Sequence, residues 1–185
     1  MSNDEGAAPA SAPPAGAPTE GQPRPQFLIN AQYVRDLSFE NPNAPQSLIR
    51  TDGNPDVKLN VDVQAKTLGS NRYEVVLVIH AAAKRGEETT FMVELDYAAL
   101  ITAENIPANQ MEPLLLVEAP RMLFPFAREI IATTSRDGGF PPLMMQPVDF
   151  VAMYRAHKTR QTASPPAAAA GDSDDGGVPP TPAGG

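Results

Sequence analysis

The chain has 185 residues, a formal net charge of −8 and no cysteine. Its acidity argues against nucleic-acid binding, which needs a basic footprint. The missing thiols exclude a disulfide framework, a cysteine nucleophile and a thiolate metal site. No apolar run approaches the roughly 20 residues that span a bilayer, and MSNDEGAAPA has neither the basic nor the apolar region of a signal peptide. A soluble cytoplasmic protein without direct membrane insertion is the expectation.

Residues 1–25 and 164–185 are Ala, Pro, Gly, Ser and acid, with almost no aromatic or β-branched content. Such segments bury too little apolar area to offset their ordering entropy, so both are expected to be disordered extensions. Residues 26–163 then form one domain. The first strand is expected at Phe27–Glu40, with Phe27, Ile29, Ala31, Tyr33, Leu37 and Phe39 on one face, interrupted by Arg35. Asn30, Gln32, Asp36, Ser38 and Glu40 fall on the other. NPNAPQS reads as a loop. In Val57–Lys66 the apolar set is Val57, Leu59, Val61, Val63 and Ala65. Tyr73–Ala82 follows the LGSN turn and is apolar on both faces, as a central strand would be. After KRGEE, a fourth strand sets Phe91, Val93, Leu95 and Tyr97 against Thr90, Met92, Glu94 and Asp96.

Beyond Ile106-Pro107 the period becomes helical over Met111–Arg136, with Leu123, Phe126/Ala127, Ile130 and Thr134 on one face. Pro120 suits the first turn of the main helix, whereas Pro125 should bend it. Asp137-Gly138-Gly139 ends the helix, FPPLMMQPV is a loop, and Asp149 caps a second helix, Phe150–Arg160. The fold class is therefore α+β: a four-stranded antiparallel sheet of meander or Greek-key type, with one long and one shorter C-terminal helix on one face.

Little in this pattern can react. His80 lies on the strand face shared with Val76 and Val78, and His157 near the end of the last helix; a packed or capping role fits each. Neither has metal-ligand spacing. Ser135 lacks the Gly-x-Ser-x-Gly elbow, and Gly138-Gly139 is no phosphate loop. No enzyme, cofactor or metal is expected. The charge is more telling, because residues 26–118 carry 13 acids and 7 bases, whereas residues 119–163 carry 3 acids and 6 bases. Asp36 and Glu40, roughly 13 Å apart at about 3.3 Å per residue, share a polar strand face, and Glu94 and Asp96 belong to another. Aligned, they make an acidic plate studded with Met92 and Val34, suited to a basic, partly apolar peptide. Equally, the plate is an ordinary solvated face. The Phe- and Met-rich stretch Phe124–Tyr154 reads as core or as the wall of a groove for extended chain.

FLINAQYVRDLSFENPNAP, YEVVLVI followed by GEETTFMVEL, APRMLFPFAREII and GGFPPLMMQPVDFVAMY resemble, in order and over residues 26–158, the SecB protein-export chaperones. The resemblance implies a homotetramer, a dimer of dimers with the long helix between sheets. It also implies a cytoplasmic, ATP-independent chaperone that holds unfolded precursor proteins and passes them to the SecA translocation ATPase. The SecA-docking positions carry over to Asp36, Glu40, Met92 and Glu94, with Met92 where leucine is familiar. A substrate groove would involve Phe91, Phe126, Phe140, Leu143 and Tyr154, with Phe126 where tyrosine is common. The Pro/Ala-rich extensions are longer than the family's ends. A carrier for a small apolar ligand and a chaperone dedicated to one client are the alternatives.

Overall fold

The computed structural model describes residues 24–49 and 53–163, so the expectation of disordered extensions falls outside the described residues apart from positions 24 and 25. Four strands form one antiparallel sheet: β1 (Gln26–Glu40), β2 (Asp56–Gly69), β3 (Arg72–Arg85) and β4 (Glu88–Glu104), in spatial order β1-β4-β3-β2. Strands β2, β3 and β4 are joined by hairpins, and β1 lies beside β4. That is the Greek-key order read in the reverse chain sense. Ser70 and Asn71 both have positive φ, at 44° and 61°, as a two-residue type I′ turn requires between β2 and β3. Gly86, at φ 62°, supplies the one positive φ of the β3–β4 turn. The strands outrun their expected bounds, β4 most of all. Its continuation, AALITAE, keeps Ala99, Ile101 and Ala103 almost wholly buried on the same face as Tyr97.

Strand β3 is internal and buried on both sides, which explains its lack of a polar face. Val75, Leu77 and Ile79 are inaccessible beneath the helices, while Val76 and Val78 join Ala98 in a small cluster on the opposite side. Strand β1 departs from strict alternation. Its pairing with β4 slips between Ile29 and Ala31 and again between Val34 and Asp36. An extra residue in one strand turns every later side chain over. Between the two irregularities the faces are therefore exchanged. Ala31 pairs with Leu100 and Tyr33 with Ala98 on the outer face, while Gln32 and Val34 stand opposite Ala99 and Tyr97 on the helix face. This corrects the expected placement of Ala31, Tyr33, Gln32 and Val34, and Val34 does not stud the acidic plate.

Strand β1 ends at one sheet edge and β2 begins at the other. The expected NPNAPQS loop gives way at its end to a single helical turn, α1 (Gln46–Ile49). After β4, helix runs from 108 to 137 in three parts: α2 (Ala108–Pro113), a π-helical stretch Leu114–Glu118, and α3 (Ala119–Asp137). Pro120 falls in the first turn of α3. The wider π-turns directly before it sit where a proline removes an amide donor from the ladder. The buried face of α3 is Pro120, Leu123, Phe124, Ala127, Ile131 and Ser135, one stripe at i, i+3/i+4, i+7, i+11 and i+15. Phe126 lies off that stripe and is 52% exposed, contrary to its expected inward position.

Gly138 and Gly139 end α3, and Gly139 adopts the left-handed φ of 90°. Gly138 has a different reason to be glycine: a Cβ there would stand 2.1 Å from the Phe39 ring. The backbone N–H of Ala152 donates to the Asp149 side chain at 3.0 Å, making the expected cap for α4 (Phe150–Ala163). The core lies between the helices and one face of the sheet, with Leu77, Ile79, Leu95, Ile101, Leu123, Ile131 and Phe150 fully buried.

Candidate functional site

On the face away from the helices, β1 and β4 meet in a register that places Asp36 opposite Asp96, Ser38 opposite Glu94 and Glu40 opposite Met92. No irregularity interrupts residues 36–40, so Asp36 and Glu40 keep the shared face read from their spacing. The four positions expected to dock a partner, Asp36, Glu40, Met92 and Glu94, thus come together on one face from strands far apart in sequence.

The electrostatics of this face are uneven. Arg35, at the second irregularity of β1, donates from Nη2 to Asp96 at 2.7 Å and lies 3.8 Å from Glu74. Tyr33, turned to the same side by the exchanged alternation, donates its hydroxyl to Glu74 at 2.5 Å. That hydrogen bond, with burial second, raises the Tyr33 pKa, and the hydrogen bond to Asp96 likewise raises that of Arg35. Asp96 and Glu74 are therefore committed inside a network. Asp36 and Glu40 are exposed and make no ion pair among the described residues. Glu94 has one neighbour of interest, the His80 Nδ1 at 3.2 Å. His80 is on the expected strand face, but it is about half exposed rather than packed.

The helix side holds a cavity of about 400 Å³ at the end of the sheet where α3 terminates. Phe91, Phe140 and Leu143 line it together with Leu48, Val57 and the Pro141-Pro142 pair. Phe91 and Phe140 have ring centroids 4.7 Å apart, and Phe39 adds a third ring at 5.8 Å from Phe91 and 6.4 Å from Phe140. The loop that supplies Phe140 and Leu143 is tied to α3 by fully buried Ser135. Its Oγ donates to the Ala132 carbonyl at 3.0 Å and accepts from the Leu143 backbone N–H at 2.9 Å. Met145 enters the core at 2% exposure, whereas Met144 remains 59% exposed. The FPPLMMQP segment is thus part wall and part core.

Two of the five groove positions lie elsewhere. Phe126 stacks at 6.5 Å on Tyr97, whose pKa burial raises, near the exposed Val34 and Leu37 of β1. Tyr154 lines a small cleft with Asp62, Val63, Leu116 and His157, and the Lys158 ammonium sits 5.9 Å from its ring centre. The sequence reading missed Leu48 as a cavity residue and Phe39 as the ring packed against two of the wall aromatics, Phe91 and Phe140. For Phe39 the signal was present in its alternation with Asp36 and Glu40; for Leu48 nothing local marks a crossover turn as a wall.

Among the described residues no three His, Asp or Glu side chains gather to hold a metal ion. None of the described helices is long and apolar enough to cross a membrane.

Residues 20–161 match the family model for the preprotein translocase subunit SecB. Protein-export protein SecB of Bradyrhizobium sp. is 46% identical over 164 residues, 89% of this chain and 95% of that protein. Its counterpart in Rhodopseudomonas palustris is 49% identical over 163 residues, 88% of this chain and 95% of that one. Among solved structures, a Mycobacterium tuberculosis SecB-like chaperone in complex with a peptide from the HigA1 antitoxin has a TM-score of 0.56 at 12% identity. It covers 66% of this chain and 90% of its own, a likeness of fold.

Proposed function

The chain belongs to the SecB family, and from that premise we propose that it serves protein export as a cytoplasmic holding chaperone that needs no nucleotide. It binds unfolded precursor proteins on the helix side of its sheet and delivers them to SecA through the opposite face. The observation that carries this reading is the division of labour between the two faces. An aromatic-lined cavity of about 400 Å³ opens on one, and on the other three uncommitted or half-exposed carboxylates, Asp36, Glu40 and Glu94, share a face with Met92.

The physical chemistry of each side suits its role. Rings and prolines offer apolar area without demanding a particular side chain, so many extended segments fit. Burying about 400 Å² of apolar surface contributes near 10 kcal/mol gross at about 25 cal/mol per Å², most of it offset by ordering the client. Several such grooves on one assembly turn weak contacts into retention through effective concentration. Support for a homotetramer comes from Val34, Leu37, Met122 and Phe126. All are between 42% and 52% exposed in the single chain, more large apolar surface than one subunit needs to leave in water. A second copy of the chain covers them. The acidic side attracts a basic, partly apolar segment of SecA, with Met92 supplying the apolar contact.

Two measurements test this. The purified protein should suppress aggregation of a denatured precursor with no nucleotide present; failure to hold any unfolded chain ends the chaperone reading. Asp36→Lys with Glu40→Lys should weaken SecA binding while leaving the assembly mass unchanged. Unaltered affinity removes the docking assignment.

A further inference from the structure

We infer that His80 is part of the acidic docking face and sets how strongly that face holds a basic partner as pH changes. The inference rests on the docking assignment and adds a residue that assignment does not contain. His80 projects from β3 on the outer face, directly opposite Glu94 on β4 and Asn60 on β2. Its Nδ1 is 3.2 Å from a Glu94 carboxylate oxygen. Both side chains border an open depression of about 250 Å³ whose other walls include Lys58, Asn60, Ala82 and Met92. One of the docking carboxylates and the apolar docking residue therefore share a pocket with a titratable ring.

The charged groups around the ring fix the sign. On β4 these are Glu94 and, one step along the same face, Asp96, already held by Arg35 at 2.7 Å. On β2 they are Lys58 and Asp62; on β3 itself, Lys84; on β1, beyond β4, Asp36 and Glu40. Neutral imidazole leaves Glu94 free to accept from an incoming lysine or arginine. Protonated imidazole satisfies the same carboxylate and adds a second cation beside Lys58, so a basic partner meets repulsion where it met attraction. Protonation of His80 and docking of a cation at Glu94 are competing events, and by linkage each weakens the other. The network around Arg35 does not buffer this effect, because its carboxylates are Asp96 and Glu74.

The whole chain contains only two histidines. The other, His157, borders clefts on the helix side with Leu116 and Val63. A pH effect on docking is thus assignable by substitution.

The test uses the full-length protein and a short synthetic lysine–leucine peptide at low salt, with His80→Gln, His157→Gln and the Asp36→Lys/Glu40→Lys variant in parallel. Wild type should bind about 2- to 5-fold more weakly near pH 6 than near pH 8, the range of one exposed ion pair. His80→Gln should lose that dependence, and His157→Gln should keep it. Calorimetry near pH 6.5 in buffers of different ionisation enthalpy should show proton release on binding by wild type and none by His80→Gln. Equal pH slopes in wild type and His80→Gln overturn the role of His80 and leave the docking face standing. No binding at either pH, or binding indifferent to Asp36→Lys/Glu40→Lys, overturns the docking face and the inference with it.

Discussion

Gly138→Ala isolates the contact that sets the distance between the long helix and the edge strand. The added Cβ would lie 2.1 Å from Phe39 Cζ, well inside any real carbon–carbon contact, so the ring has to move. It cannot swing away freely. Phe91 stacks on it at 5.8 Å with an interplanar angle of 23°, and Phe140 stands at 6.4 Å. Overpacking of this kind costs about 1–3 kcal/mol. The backbone of Gly138, at φ −71° and ψ 0°, is one alanine adopts readily, and alanine recovers about 0.4–1 kcal/mol by restricting the unfolded chain. The net expectation is a loss of about 1–2 kcal/mol, which lowers Tm by roughly 2–8 °C for a domain of this size.

Urea denaturation at fixed protein concentration measures the loss, because the proposed assembly would make stability concentration-dependent. Phe39→Leu provides the control. With the ring gone, Gly138→Ala should cost nothing or stabilise slightly, giving a coupling energy of about 1–2 kcal/mol across the cycle. A neutral Gly138→Ala in the wild-type background, or strict additivity with Phe39→Leu, refutes the steric argument. The same variant should weaken binding of unfolded chain, since Phe91 and Phe140 both line the cavity.

Two further expectations concern the helix side. Ser135→Ala removes the fully buried hydroxyl that accepts from the part-buried Leu143 amide and should cost about 1 kcal/mol. Hydrogen exchange at Leu143 should accelerate, and unchanged protection there means Ser135 is not the tether. Glu112→Gln removes the 2.7 Å hydrogen bond from Lys158, the chief reason the Glu112 pKa lies below its ordinary value. A depressed carboxylate stabilises the fold above its unfolded pKa and loses that contribution as pH falls through the folded one. Wild type should therefore melt slightly above Glu112→Gln at neutral pH, with the gap closing in acid. A gap that persists below the carboxylate range would count against the pair.

How far the sequence disclosed this molecule depended on whether a pattern stayed local. In β2, β3 and β4 alternation runs unbroken through the core-facing residues, so their faces were legible without a partner in view. Strand β1 was read with one continuous alternation, which the two register irregularities defeat. The visible clue was Arg35 standing among apolar residues, and it marks the second irregularity. The acidic cluster remained legible because residues 36–40 lie beyond the second irregularity and run unbroken to Glu40. The cavity was less so. Phe91, Phe140 and Leu143 were named, but Leu48 arrives from a crossover turn outside the sheet, and Val57 was legible only as a strand residue. Phe126 was placed inward by spacing alone, although Phe124 and Ile131 fill the buried stripe instead.

The strand order also imposes a sequence of events in time. Strand β1 leaves the ribosome first, yet its only partner in the sheet is β4, and the Arg35–Asp96 pair joins positions 61 residues apart. Strands β2 and β3 can close through their two-residue turn as soon as both have emerged, while β1 must wait through a long loop closure. Asp36 and Glu40 meet Met92 and Glu94 only when that last pairing zips. An incomplete chain therefore presents unpaired strand edges but no assembled acidic face. The acidic face is complete only when the sheet is finished, so a partner that reads it, as proposed, would engage only chains that have completed their own folding.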